Sequence, residues 1–364
     1  MTISRRILLG AATAPLFAQA TAFAQAPPPQ WTNARSLTIE GQGFSDTKSP
    51  WDRLPARAEG VVRPEVWNLS RQPAGILVRF LTDATEIHAK WTLTNKNFAS
   101  PSNTAVGSSG LDLYVKTGAH NWHWLGIGRP TKFPENTGRL IGGIPAGLRE
   151  YAVYLPMHNP VQELSIGVPA GAELKPAPVR REKPIVFYGT SITHGSSASR
   201  PGMTHVSMLG RRFDRPVINL GFGGNGRLEL EVARFLVELD AAVMVIDCLP
   251  NVVAAQVKER TVPLVEFIRA KHPNLPLLLV EDRTYQDAFL VTAKRERNDL
   301  SRIEFRQAYA QLLAKGMKNI DYLGGETLLG TDGEGTTDSS HPSDLGFERQ
   351  ANAFEPHLRR LLSL

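Results

Sequence analysis

Cysteine is almost absent from this sequence of 364 residues. Cys248 is the only one, so the chain cannot form a disulfide within itself. Long apolar runs are also missing, because no stretch after residue 24 approaches the roughly 20 apolar residues that a membrane helix needs. We therefore expect a protein that relies on buried cores for its stability and that has no stable membrane anchor.

Charge of one sign is not concentrated in any part of the sequence. Lys and Arg number 41 against 35 Asp and Glu, which gives a formal charge of +6. The basic residues are scattered, and residues 179–183 are their one short cluster. This pattern argues against a nucleic-acid partner. His88, His120 and His123 lack the spacing to carboxylates or cysteines that a metal site has, so we expect surface histidines and no metal.

Residues 1–24 have the pattern of an export signal. Arg5 and Arg6 precede a small and apolar run, and Ala22-Phe23-Ala24 matches an A-x-A cleavage site. Adjacent arginines are typical of twin-arginine signals, which export folded proteins, although an ordinary secretory signal has the same general form. No cysteine adjoins the cleavage site, so no lipid anchor is expected there. We predict that the mature protein begins near Gln25 and lies in the periplasm or outside the cell.

Residues 36–171 are predicted to form an antiparallel β-sandwich. Short segments rich in β-branched and aromatic residues are separated by turn-rich gaps, without helical periodicity. These segments are 74–81, 86–93, 111–116, 122–126, 150–155 and 163–168. The flanking segments 25–35 and 172–183 are predicted as linkers, the second because it contains prolines.

Trp122 and Trp124 are predicted to project from the same face of one strand in this domain. Such a pair could form an aromatic platform for a sugar ring, or both rings could pack into the core. The sequence leaves both alternatives open.

From residue 184 to residue 364 the pattern changes to alternating strands and helices. Apolar strands are predicted at 185–188, 217–220, 243–247, 277–281 and 320–323, with helices near 228–239, 253–271, 300–315 and 344–362. Strands that are each followed by a helix favour a parallel sheet with helices on both faces. The predicted fold class is therefore α/β, preceded by the antiparallel sandwich.

Four polar segments lie at strand ends or just before the last helix. They are 189–195, 219–226, 247–251 and 338–342. The carboxyl ends of parallel strands meet at one edge of a sheet, where open α/β sheets bind their ligands. Ester hydrolysis by a serine needs a base, an acid that orients the base, and donors for the oxyanion. The segments supply one candidate for each role: Ser191, His341, Asp338, and Gly224 with Asn251.

These segments resemble the sequence blocks of the SGNH (GDSL-like) hydrolases. The first block is similar to residues 189–193, with Thr190 at the position where Asp is commoner. Gly224 before Asn225 is similar to the second block, and residues 249–252 match the third block only in part. The last block, Asp-x-x-His, is matched in full by Asp338 and His341.

Residues 110–114 and 198–203 further resemble one branch of this family. In that branch a jelly-roll domain precedes a flavodoxin-like, three-layer hydrolase domain, and members are esterases and acyltransferases that act on carbohydrates or small molecules. The resemblance covers nearly the whole chain after residue 25.

The resemblance also implies the roles of particular residues. Ser191, His341 and Asp338 would form a catalytic triad that needs no metal or other cofactor. The N–H groups of Ser191 and Gly224, with the Asn251 amide, would form the oxyanion hole. His194 and Arg200 are predicted to contact the substrate.

Other residues compete for the triad roles. His194 and His205 are close to Ser191 in sequence, and either could be the base. Asp332 and Asp344 compete with Asp338, although Asp344 is better placed to favour the N-terminus of the last helix. Phe222, Leu249 and Val252 could line a pocket for a long acyl chain, or they could belong to the core.

Three alternatives use the same sequence features. Gly221-Phe-Gly-Gly-Asn-Gly226 satisfies G-x-G-x-x-G, and Asp247 follows roughly 20 residues later, as in a dinucleotide site. That interpretation leaves Ser191 and His341 without a role. An acyltransferase with the same triad and a non-catalytic glycan-binding protein are the other two. The sequence favours a secreted serine esterase and does not predict the oligomeric state. The resemblance, together with export, implies that the substrate is an O-acyl group, most often O-acetyl, on a carbohydrate.

Overall fold

The computed structural model of the protein describes residues 27–118 and 121–364. The predicted export signal and His120 lie outside the described residues. The strands of the first half are β1 Gln30–Asn33, β2 Thr38–Glu40, β3 Leu77–Thr82, β4 Glu86–Leu93, β5 Leu111–Lys116, β6 Trp122–Gly128, β7 Glu135–Gly142, β8 Arg149–Tyr154, β9 Val161–Val168 and β10 Leu174–Pro176. Two short helices, α1 Pro64–Ser70 and α2 Ala105–Ser109, lie between them.

These strands form two antiparallel sheets, which confirms the predicted sandwich. One sheet has the order β1-β9-β4-β7, and the other has the order β10-β3-β8-β5-β6, with β2 also paired to β3. Apolar side chains such as Phe80, Trp91 and Tyr151 fill the space between the sheets. Strand β7 was not predicted because its sequence, Glu-Asn-Thr-Gly-Arg-Leu-Ile-Gly, is mostly polar or glycine.

Both predicted linkers differ from the structure, because each contributes a strand. Strand β1 lies within 25–35 and pairs with β9, and strand β10 lies within 172–183 and pairs with β3. Both are edge strands. A proline such as Pro176 is tolerated there because an edge strand leaves one row of its backbone groups unpaired in the sheet.

The second half forms the predicted α/β domain. Its strands are β11 Ile185–Gly189, β12 Val217–Gly221, β13 Val243–Asp247, β14 Leu277–Val280 and β15 Ile320–Leu323. Its helices are α3 Ser191–His194, α4 His205–Arg212, α5 Leu230–Leu236, α6 Ala254–Lys271, α7 Thr292–Ala314 and α8 Asp344–Leu362. The five strands are parallel, in the order β12-β11-β13-β14-β15.

Alternate residues of the parallel strands enter two separate cores, because successive side chains of a strand point to opposite faces. On β11, Val186 and Tyr188 belong to one core, and Ile185 and Phe187 belong to the other. The sheet is therefore covered on both faces. Among the described residues, no helix is long and apolar enough to cross a membrane.

Much of the segment between β2 and β3 packs outside the sandwich core, although the segment lies inside the predicted sandwich domain and its Trp51 and Ile76 belong to that core. Its residues Phe44, Leu54, Val62 and Trp67 join the core on one face of the parallel sheet. The described chain thus uses part of its first half to complete the second domain, and this contact brings the two domains together beside β12.

Candidate active site

Ser191 lies directly after the central strand β11. It is the first residue of the short helix α3, whose N-cap Thr190 accepts a hydrogen bond from the Ile192 N–H. Gly189 is required at the end of the strand, because a Cβ there would lie 2.0 Å from the Thr193 hydroxyl oxygen. This tight turn holds the Ser191 side chain at the carboxyl edge of the sheet, as the sequence predicts.

The structure brings Ser191, His341 and Asp338 together. The Ser191 Oγ lies 2.8 Å from His341 Nε2, and His341 Nδ1 lies 2.7 Å from Asp338 Oδ2. Asp338 Oδ1 accepts hydrogen bonds from the backbone N–H groups of His341, at 2.7 Å, and of Ser340, at 3.1 Å. One carboxylate therefore fixes both the loop and the imidazole ring.

Asp338 stays ionised at neutral pH. Partial burial would raise the pKa of its carboxyl, but hydrogen bonds from the backbone and ring of His341 and from the Ser340 N–H outweigh burial and lower that pKa. An ionised carboxylate on Nδ1 keeps the proton on that nitrogen, which leaves Nε2 free to accept the Ser191 hydroxyl proton.

The predicted oxyanion donors Gly224 and Asn251 lie on the loops that follow β12 and β13, the two strands paired with β11. Gly224 has φ +70°, and the Cβ position of its neighbour Gly223 lies 3.7 Å from the Ser191 Cβ. Asn251 accepts a 3.3 Å hydrogen bond from the Gly226 N–H on its Oδ1, which leaves its Nδ2 as a donor. Within the described chain, neither the Gly224 N–H nor the Ser191 N–H has a hydrogen-bond acceptor.

Two arginines that sequence analysis missed hold the loop after β12. Arg53 is 1% exposed and donates to the carbonyls of Asn219, at 2.9 Å, and Gly221, at 2.8 Å. Arg63 donates to Asn225 Oδ1 at 2.9 Å. Both come from the segment between β2 and β3. No local sequence pattern could have identified them, since their partners are more than 160 residues away.

The sandwich contacts the segment that follows Ser191. Ser197 donates its N–H to Asn103 at 2.8 Å, and the Thr104 hydroxyl donates to the Ser199 carbonyl at 2.6 Å. His158, in the connection between β8 and β9, stacks on His194 with 4.6 Å between ring centroids. His158 also lines a cavity of about 230 Å³ with Asn95, Asn97, Ser100, Ser108 and Asn159.

The environment of His158 indicates that it lies near the triad. Burial first, and then the charges of Arg53 and His341, lower the pKa of His158 to about 4. His158 is therefore a neutral residue of the sandwich beside the catalytic-domain loop at neutral pH. Sequence analysis did not single it out.

The structure places the two predicted substrate contacts, His194 and Arg200, in different surroundings, and neither hydrogen-bonds to the triad. His194 is 1% exposed, and its Nε2 lies 2.7 Å from the Met157 carbonyl oxygen, so it packs the two domains together. Arg200 pairs with Asp112 Oδ2 at 2.8 Å and lines a different cavity, whose wall includes neither Ser191 nor His341.

The residues that competed for the triad roles have other surroundings or partners in the structure. His205 is fully buried among Phe187, Phe347 and Phe354. Asp332 pairs with Arg349 at 2.6 Å. Asp344 accepts a 2.9 Å hydrogen bond from the Ser199 N–H in the first turn of α8.

The structure also rejects a dinucleotide site. Asp247 is fully buried, and its carboxylate is bound by Arg283 and by the Thr193 hydroxyl, at 3.0 Å. Helix α5 begins at Leu230, four residues beyond the last glycine of the motif. No ribose hydroxyl could reach that carboxylate.

Two further ligand classes are a metal ion and a long acyl chain. Among residues 27–118 and 121–364, no group of three or more His, Cys, Asp or Glu could hold a metal ion. Phe222, Leu249 and Val252 are fully buried members of one core, so they do not form the wall of an acyl pocket.

Comparison with known proteins identifies the family. Residues 182–359 match the model of the GDSL-like lipase/acylhydrolase family, and residues 29–174 match the model for the N-terminus of the Esterase_SGNH_hydro type. The crystal structure of a putative GDSL-like lipase from Bacteroides ovatus is 31% identical, with a TM-score of 0.87, and the match covers 92% of this chain and 98% of that one. The chain belongs to the GDSL-like lipase/acylhydrolase family. It is an SGNH-type enzyme that hydrolyses ester bonds.

Two more distant structures share the fold. The salicylyl-acyltransferase SsfX3 from a tetracycline biosynthetic pathway is 21% identical, with a TM-score of 0.70, over 92% of this chain and 97% of that one. A family two carbohydrate esterase from Clostridium thermocellum, solved with cellohexaose, is 14% identical, with a TM-score of 0.56, over 80% of this chain and 93% of that one. A search of curated protein sequences gave no significant match.

Proposed function

We propose that this SGNH enzyme is an exported serine esterase that removes small O-acyl groups, above all O-acetyl, from carbohydrates. The observation that carries the proposal is the chain of contacts from Ser191 Oγ to His341 Nε2, at 2.8 Å, and from His341 Nδ1 to Asp338 Oδ2, at 2.7 Å. Both contacts are at hydrogen-bond distance, the geometry that an activated serine nucleophile needs.

In the first half of the proposed reaction the enzyme is acylated. His341 Nε2 takes the Ser191 proton as Oγ bonds to the ester carbonyl carbon, and the carbonyl electron pair moves onto the oxygen. The N–H groups of Ser191 and Gly224 and the Asn251 amide donate to that oxyanion. The bond to the leaving alcohol then breaks, and His341 returns the proton to the alcohol oxygen.

In the second half a water molecule releases the acid. His341 accepts a proton from the water as its oxygen attacks the acyl carbon of the Ser191 ester, and the same donors stabilise the second oxyanion. The Ser191 oxygen leaves and is protonated by His341. Asp338 remains ionised throughout and stabilises the imidazolium that forms in each half.

One feature of the oxyanion loops supports the small acyl group in this proposal. Phe222, Leu249 and Val252 are buried in the core, so these neighbours of the oxyanion loops offer no apolar channel to a long chain. The carbohydrate portion of the proposal is supported by the shared fold with carbohydrate esterases. Export is supported only by the sequence pattern of residues 1–24.

The test compares three proteins that begin at residue 25. We expect the parent to release p-nitrophenol from p-nitrophenyl acetate faster than from the octanoate, and Ser191→Ala to lose at least about 10³-fold in kcat. Ser301→Ala is the matched control, because Ser301 is a buried serine on α7 whose hydroxyl has no hydrogen-bond partner within the described chain. It should retain the parent rate.

Release of acetate from acetylated polysaccharides then tests the carbohydrate part. Acetate released by the parent and not by Ser191→Ala is the expected outcome. An unchanged rate in Ser191→Ala would reject Ser191 as the nucleophile. Product that appears as a new ester of an added alcohol, with little free acid, would make the enzyme an acyltransferase.

A further inference from the structure

A second cavity lies where the edge of the sandwich meets helix α4. It has a volume of about 520 Å³ and is open to solvent, a size within the usual range of ligand pockets. The residues of its wall that matter here are Tyr114, Trp122, Trp124, Arg200, Arg211 and Arg212. We call this cavity the edge groove, because β6 is the edge strand of its sheet.

Trp124 presents a large aromatic surface to the edge groove. Its side chain is 50% exposed. The indole N–H donates to Asp112 Oδ1 at 3.0 Å, and the Arg200 guanidinium lies 5.3 Å from the ring centroid. The ring is therefore held in one orientation while half of its surface faces solvent. A pre-ordered aromatic face of this kind loses little conformational entropy when a flat ligand stacks on it.

Trp122 differs from Trp124, although the two were predicted to share a role. Its indole N–H donates to Asp214 at 2.9 Å, and Lys116 and Arg180 lie 5.7 and 5.8 Å from its ring. Trp122 is thus partly buried in a cluster of charged side chains. Only Trp124 of this pair offers a half-exposed face.

Arg211 supplies a positive charge at the same groove. Its guanidinium donates to the Gly202 carbonyl at 2.8 Å and lies 4.0 Å from the Tyr114 ring centroid. Within the described chain, no carboxylate lies within salt-bridge distance of it. Its Nη1 also donates to the Tyr154 hydroxyl at 3.3 Å, and the charge of Asp112 acts on it from beyond salt-bridge distance. A guanidinium outside any salt bridge can still bind an anion, and its planar fork fits a carboxylate.

The carboxylates nearest to Arg211 are already engaged by other groups. Asp112 binds Arg200 at 2.8 Å, and it also accepts from the Gly202 N–H at 2.8 Å. Arg212 forms salt bridges with Glu355, at 3.0 Å, and with Glu348. The wall of the groove holds three arginines against one carboxylate, Glu348, which pairs with Arg212, and Arg211 is the arginine of the wall that has no salt bridge within the described chain.

We propose that the edge groove binds a carboxylate-bearing glycan, with a sugar ring stacked on Trp124 and a uronate carboxylate at Arg211. The proposal rests on the proposed function only in taking a glycan as the ligand. The groove would hold an acidic polysaccharide chain while ester groups elsewhere on that chain reach Ser191.

The test measures binding without turnover. Isothermal titration of the Ser191→Ala protein with trigalacturonate and with neutral cellotriose should show tighter binding of the acidic trisaccharide, and this preference should decrease as salt is raised. Trp124→Ala should weaken binding of trigalacturonate by about tenfold or more. Phe133→Ala, which removes another aromatic side chain of the sandwich that is 49% exposed, should not.

Arg211→Gln should abolish the preference for the acidic trisaccharide, and Arg211→Lys should retain part of it. Thermal unfolding of each variant separates a lost charge from a lost fold, because Arg211 also packs on Tyr114. Equal binding of both trisaccharides by the parent, or an undiminished affinity in Trp124→Ala, would overturn the proposal. If the Ser191→Ala protein binds trigalacturonate but the parent shows no esterase activity, the glycan site is supported and the proposed function is rejected. If the parent is an active esterase but neither trisaccharide binds, the proposed function is supported and the glycan site is rejected.

Discussion

The Asn251 side chain uses its two polar atoms differently. Its Oδ1 accepts from the Gly226 N–H at 3.3 Å, and its Nδ2 remains available to an oxyanion. We predict that Asn251→Asp, which keeps the acceptor and removes the donor, lowers kcat on p-nitrophenyl acetate by about 10²–10³-fold. KM should change little, because the lost interaction forms mainly in the transition state. Steady-state kinetics of the purified variant would show both effects.

A matched control for this change is Asn352→Asp on helix α8, where the side chain is exposed and binds Arg212 at 2.8 Å. It adds the same negative charge away from Ser191 and should leave kcat unchanged. If Asn251→Asp kept kcat within about threefold of the parent, Asn251 could not be an oxyanion donor, since the loss of one such donor costs far more.

At the scale of elements, Arg53 connects the segment between β2 and β3 to the end of β12. Its guanidinium donates to four backbone carbonyls, two on its own segment and two at Asn219 and Gly221. We predict that Arg53→Met lowers the free energy of unfolding by about 3 kcal/mol or more, because it leaves these buried acceptors without donors. Urea denaturation would measure the loss, and kcat should fall as well because the 221–226 loop loses its support.

The control for Arg53 is Arg57 on the same segment. Its side chain is 49% exposed and pairs with Asp46 at 3.1 Å and Glu238 at 2.5 Å. Exposed ion pairs contribute little, so Arg57→Met should leave the free energy of unfolding close to that of the parent. Equal losses in the two variants would show that the buried carbonyl contacts of Arg53 have no special importance.

The same elements show which parts of the protein its sequence could predict. The parallel strands and the Asp338–His341 pair were predictable, because apolar periodicity and a three-residue spacing are local patterns. The contacts of Arg53 and Arg63 with the loop after β12 were not, because they depend on how distant segments pack. The burial of His194 was not predictable for a related reason: its closeness to Ser191 in sequence says nothing of the sandwich residues Met157 and His158 that bury it.

At the scale of the whole molecule, three buried histidines make stability depend on pH. Burial is the main cause that lowers the pKa of His158 to about 4 and the pKa values of His194 and His205 well below the ordinary value. In the unfolded chain these rings titrate near 6.5. As pH falls below about 6.5 the unfolded state therefore binds protons that the folded state does not, and stability is lost until the folded pKa values are reached.

The contribution of His205 to this acid sensitivity can be measured by itself. Neither of its ring nitrogens has a hydrogen-bond partner within the described chain, so replacing the ring removes no hydrogen bond. We predict that His205→Phe, which fits the surrounding Phe side chains, makes the free energy of unfolding less sensitive to acid by about 2 kcal/mol between pH 6.5 and pH 5. Urea denaturation across this range would measure it. Phe347→Leu, a change in the ring that stacks on His205, should shift stability equally at every pH. If the free energy of unfolding of His205→Phe changed with pH in parallel with that of the parent, His205 would be protonated as readily in the folded protein as in the unfolded chain. The burial of His205 would then contribute nothing to the loss of stability in acid.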